Sequence, residues 1–169
     1  YDYVSNGKRT STLVNSIQNG NNKYSYQYDK LNNITHLYYN GELQKQYYYD
    51  DYNELIKEED YNTNQKIEYN YDNFGNLLTK TTTDMITNVI IKTDTYQYSN
   101  SNWEDQLTNF NGSSITYDAI GNPLTIGNSI EMTWINGRSL STYEDTTKNL
   151  NISYEYNVDG ISTAKIVNQ

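Results

Sequence analysis

Histidine and cysteine are frequent catalytic bases and nucleophiles, and this chain is poor in both. It has no cysteine and a single histidine, His36. A catalytic histidine needs a nucleophile or an orienting partner. The stretch Ile34-Thr-His-Leu-Tyr-Tyr39 reads instead as an ordinary strand. We therefore predict a structural role for His36 and no catalytic residue.

Acidic side chains occur in small clusters that could bind a cation or act as an acid–base pair. Glu58-Glu59-Asp60 and Asp50-Asp51 are neighbours in sequence, and adjacent strand residues point to opposite faces, so these carboxylates do not converge simply. Asn157-Val-Asp159-Gly160 lacks the alternating oxygen ligands and the final glutamate of a calcium loop. We predict sheet surface and turns at these places, with no metal, no cofactor and no enzymatic activity.

Aromatic side chains are the remaining candidates for ligand chemistry. Exposed rings on a sheet can stack on the faces of sugars, and Trp103 and Trp134 are the best platforms for glycan stacking. The alternative is that the rings, which include twenty tyrosines, pack the sheet itself. Tyrosine–aliphatic pairing favours packing, and glycan binding stays open as the second interpretation.

A recurring motif organises the whole chain. Tyr-x-Tyr-Asp-x-x-(Gly/Asn) begins at Tyr26, Tyr47 and Tyr69, and looser copies place the second aromatic residue at positions 3, 98, 117, 134 and 156. A period of about 22 residues is typical of repeats that are too small to bury a face alone. We predict one array of about eight units over residues 1–169. Its defining residues are Tyr26, Tyr28, Asp29, Asn32, Tyr47, Tyr49, Asp50, Asn53, Tyr69, Tyr71, Asp72, Gly75, Tyr117, Asp118, Gly121, Tyr154, Tyr156 and Gly160.

Each motif predicts a β-hairpin. Aspartate at the start of a type I turn accepts backbone N–H bonds, and Gly or Asn four positions after the second tyrosine enters positive φ cheaply. In this register a tyrosine faces an aliphatic residue two positions beyond that Gly or Asn, a favourable cross-strand pair. The predicted pairs are Tyr28 with Ile34, Tyr49 with Leu55 and Tyr71 with Leu77.

Further turn signals lie between the motifs. Trp134-Ile-Asn136-Gly137 is one residue shorter and predicts a type I′ turn, and the Tyr96 unit carries an insertion at residues 99–105. Intervening signals are Asn19-Gly20, Asn40-Gly41, Asn62-Thr-Asn64, Asn111-Gly112 and Gly127-Asn128. Each unit is therefore strand, turn, strand, turn, and the fold class is all-β. We predict an antiparallel meander of about fifteen short strands, arranged as stacked β-hairpins.

Composition narrows the possible partners. Leu, Ile, Val and Phe make up only about a fifth of the chain, which alone would suggest disorder, but the tyrosines supply apolar surface instead. A net charge of −9 disfavours nucleic-acid binding. No apolar run approaches the length of a membrane span, and no signal peptide opens the chain.

Four stretches resemble the RHS, or YD-repeat, family, and the likeness extends over essentially the whole chain. They are Tyr71-Asp-Asn-Phe-Gly-Asn-Leu77, Trp103-Glu-Asp-Gln-Leu-Thr108, Tyr117-Asp-Ala-Ile-Gly-Asn-Pro-Leu124 and Tyr154-Glu-Tyr-Asn-Val-Asp-Gly-Ile161, the last similar to a unit late in the repeat region. The family includes bacterial polymorphic toxins, shell components of insecticidal toxin complexes and teneurins. The resemblance implies a segment of a spiralling β-shell that encloses or presents a C-terminal effector.

The same resemblance sets expectations about partners and location. It implies a non-catalytic segment of a secreted or cell-surface protein of bacterial type. The family often has arginine after the turn glycine, as at Arg9 and Arg138, whereas Ser162 stands near this place in the last unit. The family's acidic self-cleavage motif lies downstream of the repeats, so no protease activity is assigned.

The ends of the chain suggest what it binds. Neither end reads as a polar capping repeat, so we expect a fragment whose partner is the remainder of its own polypeptide. Unpaired strands near residues 1–3 and 161–167 predict edge-to-edge self-association. The alternative function is a tyrosine-rich surface module that binds glycans or mediates cell–cell adhesion.

Overall fold

The computed structural model describes residues 1–5 and 7–168, and these residues form β-strands and turns. The described residues contain no helix, and hence none that could span a membrane. The chain divides into two compact units, Tyr1–Asp94 and Thr95–Gln169. The predicted all-β class and antiparallel meander are confirmed.

The first unit is a sheet in which each strand is hydrogen-bonded to the next one along the chain. All of these pairings are antiparallel. Its strands are β1 (Asp2–Ser5), β2 (Thr10–Asn19), β3 (Asn22–Tyr28), β4 (Ile34–Tyr39), β5 (Glu42–Tyr49), β6 (Leu55–Asp60), β7 (Gln65–Tyr71) and β8 (Leu77–Asp84).

The second unit follows the same rule of sequential antiparallel pairing. It begins within β9 (Ile90–Gln97), which crosses the boundary between the units. The predicted insertion at 99–105 lies in a strandless stretch between β9 and the short β10 (Asn109–Phe110). The remaining strands are β11 (Ser113–Tyr117), β12 (Pro123–Ile126), β13 (Ile130–Ile135), β14 (Ser139–Asp145), β15 (Leu150–Tyr156) and β16 (Ser162–Asn168).

The motif turns are closed by their aspartates, as the sequence predicts. Asp72 Oδ1 accepts the N–H groups of Phe74 at 2.8 Å and Asn76 at 2.9 Å, and its Oδ2 accepts the Asn76 side-chain amide at 2.9 Å. Asp29, Asp50 and Asp118 accept the equivalent pairs of N–H groups, and Asn157 does so in the last unit. Asn157–Gly160 is therefore a repeat turn.

Gly or Asn occupies the left-handed position at the end of each motif turn. Asn32 and Asn53 have φ of 70°, and Gly75 has φ of 82°. The predicted pairs of Tyr28 with Ile34, Tyr49 with Leu55 and Tyr71 with Leu77 are confirmed, each beside a bulge. In the predicted turn at 5–7, Gly7 has φ of 81° and Asn6 lies outside the described residues. Strand β16 extends to Asn168, and Gln169 lies outside the described residues.

The Trp134 hairpin has the backbone that a type I′ turn requires, because Asn136 and Gly137 both have positive φ. The pairing of Ile135 with Ser139 encloses three residues, however, so the loop is longer than the predicted two-residue turn. Arg138 occupies the additional place.

A second aspartate turn was not predicted from the sequence. Asp60, Asp84 and Asp145 each accept N–H bonds two and three residues on, and an asparagine four residues on has positive φ. These asparagines are Asn64, Asn88 and Asn149. Asp145 is the most enclosed, at 2% exposure, and bonds Lys148 Nζ at 3.1 Å. The Asp-x-x-x-Asn spacing was readable in the sequence.

Neither unit has a conventional apolar core, because no described hydrophobic side chain is fully buried. In the first unit the period of two places Tyr26, Tyr28, Tyr47 and Tyr49 on one face, where Leu37 is opposite Tyr26. The other face carries Tyr48 and the ion pair of Lys57 with Glu59 at 3.0 Å, and Lys57 Nζ lies 3.6 Å from the centre of the Tyr48 ring. Half-buried tyrosines thus replace the packed interior of an ordinary domain.

The turn aspartates predict acid sensitivity. Hydrogen bonds lower the pKa of Asp29 and Asp72 from the ordinary value of 3.8, the asparagine side-chain amide contributing most. The pKa of Asp118 is lowered as well, because its hydrogen bonds outweigh desolvation. A lowered folded-state pKa stabilises the fold above the unfolded pKa near 3.8. That contribution is lost as the pH falls through the folded value.

We therefore expect urea unfolding to show stability that declines as the pH falls below about 4. A variant with Asp29→Asn, Asp72→Asn and Asp118→Asn keeps an oxygen acceptor for the turn N–H groups but cannot titrate. Its stability should change less over the same acidic range. An equal decline in both proteins would contradict this assignment.

Candidate functional site

In six motifs the second aromatic residue forms a hydrogen bond that links it to the preceding repeat. In the first unit the hydroxyl of Tyr28 donates to the Val14 carbonyl at 2.7 Å, and that of Tyr49 to the Ile34 carbonyl at 3.0 Å. The Tyr71 hydroxyl donates in the same way to the carbonyl of Leu55 at 2.8 Å. We call each of these contacts a latch.

The second unit has the same latches, formed in one case by tryptophan. Tyr117 donates to the Leu107 carbonyl at 2.6 Å and Tyr156 to the Leu140 carbonyl at 2.8 Å. Trp134 Nε1 donates to the Pro123 carbonyl at 2.7 Å. Because the Trp134 indole N–H has this partner, the geometry favours packing over free sugar stacking at this predicted platform.

The latches occur where main-chain pairing between consecutive hairpins stops. On β4 and β5 the last pair is His36 with Gln46; Ile34 lies two residues before His36, and Tyr49 three residues after Gln46. The same offsets apply to the other five latches, whose last pairs are Ser16–Ser25, Lys57–Glu68, Asn109–Ser114, Thr125–Glu131 and Thr142–Ser153. Each aromatic donor therefore extends the ladder to a carbonyl that the opposing backbone does not reach.

Burial favours the neutral form of four latch tyrosines. Desolvation raises the pKa of Tyr49, Tyr71 and Tyr117 above the ordinary value of 10.0, and it does the same for Tyr28 with a smaller contribution from Tyr26. A phenol donates its proton to a carbonyl only while it is neutral. These four hydroxyls can thus donate throughout the physiological pH range.

Trp103 has a different position from Trp134. It lies in the strandless insertion, is 45% exposed, and its ring sits over Gly121, where an added Cβ would lie 2.6 Å from Trp103 Cη2. Beside the ring is an open cleft of about 460 Å³, and Asn100 and Gln106 line it. The amide of Asn100 donates to the Gln106 side chain at 2.7 Å. A ring beside amides is a geometry that can accept a sugar.

The residues that could have been catalytic have structural neighbours. His36 Nδ1 lies 3.0 Å from the Thr35 hydroxyl, and its ring stacks on Tyr38. Asp60 pairs with Lys45 at 2.9 Å, while Glu59 on the other face pairs with Lys57. Within the described residues no group of three His, Cys, Asp or Glu side chains is arranged to hold a metal.

Two residues have roles at the turns that the sequence did not predict. Arg138 Nη2 donates to the Ile120 carbonyl at 2.9 Å, so the arginine after the turn glycine holds the preceding turn. Glu54 occupies the place that Asn33, Asn76 and Asn122 hold in the other aspartate turns. Alignment of the repeats against one another would have revealed Glu54 as the exception.

These features define a class of protein: an all-β array of hairpin repeats joined by aromatic latches. No protein-family model and no curated protein sequence matches the chain.

Solved structures do match the fold. The chain is similar to the crystal structure of TcdB2-TccC3-Cdc42, with a TM-score of 0.58, 12% identity and coverage of 81% of this chain and 9% of the other. It is also similar to a Tc holotoxin pore structure of Photorhabdus luminescens, with a TM-score of 0.53, 13% identity and coverage of 86% and 8%. TcdB2-TccC3 matches with a TM-score of 0.53, 11% identity and coverage of 85% and 11%. The predicted fold is that of segments of Tc toxin chains, of which this chain spans about a tenth.

Removal of one latch hydroxyl should weaken the array measurably. Tyr71→Phe retains the ring against Leu77 but leaves the Leu55 carbonyl without its donor, and we expect a loss of about 1 kcal/mol in the free energy of unfolding. Tyr52→Phe is the matched control, because Tyr52 is 87% exposed and lies in a turn. Urea denaturation of both variants checks this, and equal stabilities would refute the latch.

The Trp103 contact can be isolated with two glycines of similar backbone conformation. Gly121 and Gly137 have φ of 87° and 84°, so alanine is strained at both, but only at Gly121 would the new Cβ meet the tryptophan. Gly121→Ala should destabilise by about 1–3 kcal/mol more than Gly137→Ala. Trp103→Ala should remove most of that excess in a double-mutant cycle. Persistence of the excess without the ring would exclude the contact.

Proposed function

We propose that this chain is a non-catalytic structural segment of an RHS/YD-repeat β-shell that encloses or presents the C-terminal effector of a secreted toxin-like protein. The observation that carries the proposal is the regular series of latches. In six repeats the second aromatic side chain of the motif bonds the repeat before it. A repeat array held together by the same contact between neighbouring units is expected to form an extended β-sheet shell.

The fold likeness gives the proposal its biological setting. The similar structures are Tc toxin components, and this chain corresponds to about a tenth of each of those chains. By analogy, the partner of this segment is the remainder of its own polypeptide, and the protein acts outside the cell that makes it. Fold analogy alone does not assign catalysis.

Limited proteolysis of the parent polypeptide tests enclosure. We expect the region C-terminal to the repeats to resist protease in the intact polypeptide and to be digested rapidly when expressed alone. Tyr71→Phe combined with Tyr156→Phe should increase digestion of that region, while Tyr52→Phe should leave it unchanged. If the C-terminal region is digested equally fast in both contexts, this segment belongs to a wall that encloses nothing.

A second function is supported by one observation, the exposed Trp103 ring beside the amide-lined cleft. In this alternative the chain is a surface module that stacks the ring on a glycan. A glycan array probed with the wild-type chain and with Trp103→Ala distinguishes the two functions. Binding that requires Trp103 supports the surface module, and absence of binding leaves the shell as the better account.

A further inference from the structure

The tips of the motif turns in the first unit are apolar and face solvent. Leu31, Tyr52 and Phe74 occupy the same place in three consecutive turns and are 67%, 87% and 77% exposed. These turns lie on one edge of the sheet and are two strands apart, so their tips are spaced by about 10 Å. Large exposed side chains at a repeated position form an interaction edge rather than a scattered surface.

An acidic cleft separates two of these tips. It has a volume of about 560 Å³ and lies between Tyr52 and Phe74, with Asp50, Glu54 and Asp72 in its lining. Glu54 Oε1 lies 3.0 Å from the place where a Cβ on Gly75 would be. Within the described part of the chain, the ion pairs of lysine involve other carboxylates. The cleft thus combines two aromatic walls with negative charge.

The corresponding turns of the second unit are joined by contacts within the chain itself. Arg138 donates to the carbonyl of Ile120 at the tip of the preceding turn, and the Asn122 amide donates to the Gly137 carbonyl at 2.6 Å. The Trp103 ring covers Gly121 of the same turn. A guanidinium and an aromatic ring therefore cover this turn, and Ile120 is only 46% exposed.

The first unit lacks these covering groups between residues 50 and 75. Asn76 stands where Arg138 stands in the other unit, and its amide bonds Asp72 within its own turn. Glu54 occupies the turn position that Asn122 and Asn33 occupy in other repeats. The Asn122 amide donates to the next turn, and the Asn33 amide donates to Asn53. An ionised glutamate has no proton to donate. Compared with the corresponding place between the turns of the second unit, the cleft therefore lacks a guanidinium and has an additional carboxylate.

The ionised carboxylate of Glu54 destabilises the folded state. Desolvation, followed by the charge of Asp50, a side-chain hydrogen bond with Asp50 and the charge of Asp72, raises its pKa above the ordinary value of 4.5. Its ionisation therefore opposes folding above that pH, whereas asparagine at this place would add the side-chain amide bond that Asn33 and Asn76 donate to their turn aspartates. A residue that breaks a local rule at a cost to stability is characteristic of a binding surface.

We propose that the edge formed by residues 50–56 and 69–76 is a docking surface for a partner polypeptide that presents an arginine beside an aromatic side chain. The arginine enters the cleft toward Glu54, and the aromatic ring packs on Tyr52 and Phe74. The arginine supplies from outside the group that Arg138 supplies in the second unit, and the aromatic ring covers a turn as Trp103 covers Gly121. Charge complementarity selects the arginine, because the cleft holds carboxylates and the whole chain has a net charge of −9.

The test uses a capped peptide, Gly-Arg-Trp-Gly, titrated into isotopically labelled chain and followed by NMR. Saturable amide shifts should be confined to residues 50–56 and 69–76 and should diminish as salt increases. Replacement of the arginine by citrulline removes the charge while the shape is nearly retained. The citrulline peptide should bind about two- to fivefold more weakly.

Substitutions on the protein provide the matched controls. Glu54→Gln and Phe74→Ser should each weaken binding by about two- to fivefold, whereas Val158→Ser should not, although Val158 is also an exposed turn residue. Equal weakening by all three would overturn the proposal. Free arginine that binds as tightly as the peptide would indicate a small-cation site instead, and would also overturn it.

Glu54→Asn provides a readout that a purely structural residue would not give. It should raise the thermal midpoint near pH 7, because it restores the turn amide, and it should weaken peptide binding at the same time. A variant that is both more stable and equally tight in binding would overturn the proposal. Shifts in the same residues that grow with protein concentration in the absence of peptide would assign the edge to a second copy of the chain, and would exclude the peptide partner.

Discussion

A side-chain donor that continues the ladder between hairpins is the interaction on which this structure depends. Each unit is a sheet without fully buried hydrophobic side chains among its described residues, so no second layer holds neighbouring repeats in place. The Tyr49 latch does two things at once: its ring is opposite Leu55 of its own hairpin, and its hydroxyl satisfies the Ile34 carbonyl of the preceding hairpin. A phenylalanine could do the first, and a serine is too short to do the second. A large aromatic side chain with a polar donor, tyrosine or the tryptophan at position 134, can do both.

The sequence predicted the parts of the fold that local rules determine. Alternation of side chains, the acceptor capacity of aspartate and the positive φ of Gly75 or Asn53 operate within one hairpin of about ten residues. They are sufficient to pair Tyr71 with Leu77. Turn chemistry also predicted that Asn157 closes a turn rather than binding calcium. The Asn157 side chain accepts the N–H groups of Asp159 and Ile161. Short-range geometry of this kind is nearly independent of how the repeats stack.

The latches could not be predicted in the same way, because they depend on the register between hairpins. The Tyr71 hydroxyl reaches a carbonyl sixteen residues earlier in the chain, at the point where β6 and β7 cease to pair. No feature of the Tyr-x-Tyr spacing specifies where that pairing ends. Trp134 shows why residue type alone is also an incomplete guide, since its indole N–H replaces a phenol and its acceptor is the carbonyl of the sole proline. What recurs is a side-chain donor at a fixed offset from the last main-chain pair, and both tyrosine and tryptophan provide it.

Nearest-neighbour coupling also explains how the array tolerates exceptions. In a repeat protein each unit is stabilised mainly by the units beside it, so a local cost at one turn is not transmitted along the chain. Glu54 can therefore occupy an amide position, and the insertion that carries Trp103 can interrupt the repeat, while strands on both sides keep their pairing. In a globular core the same changes would disrupt side-chain packing with every surrounding layer. The turns are thus the places where such a chain can acquire individual binding properties, because the latches hold the sheet on either side of them.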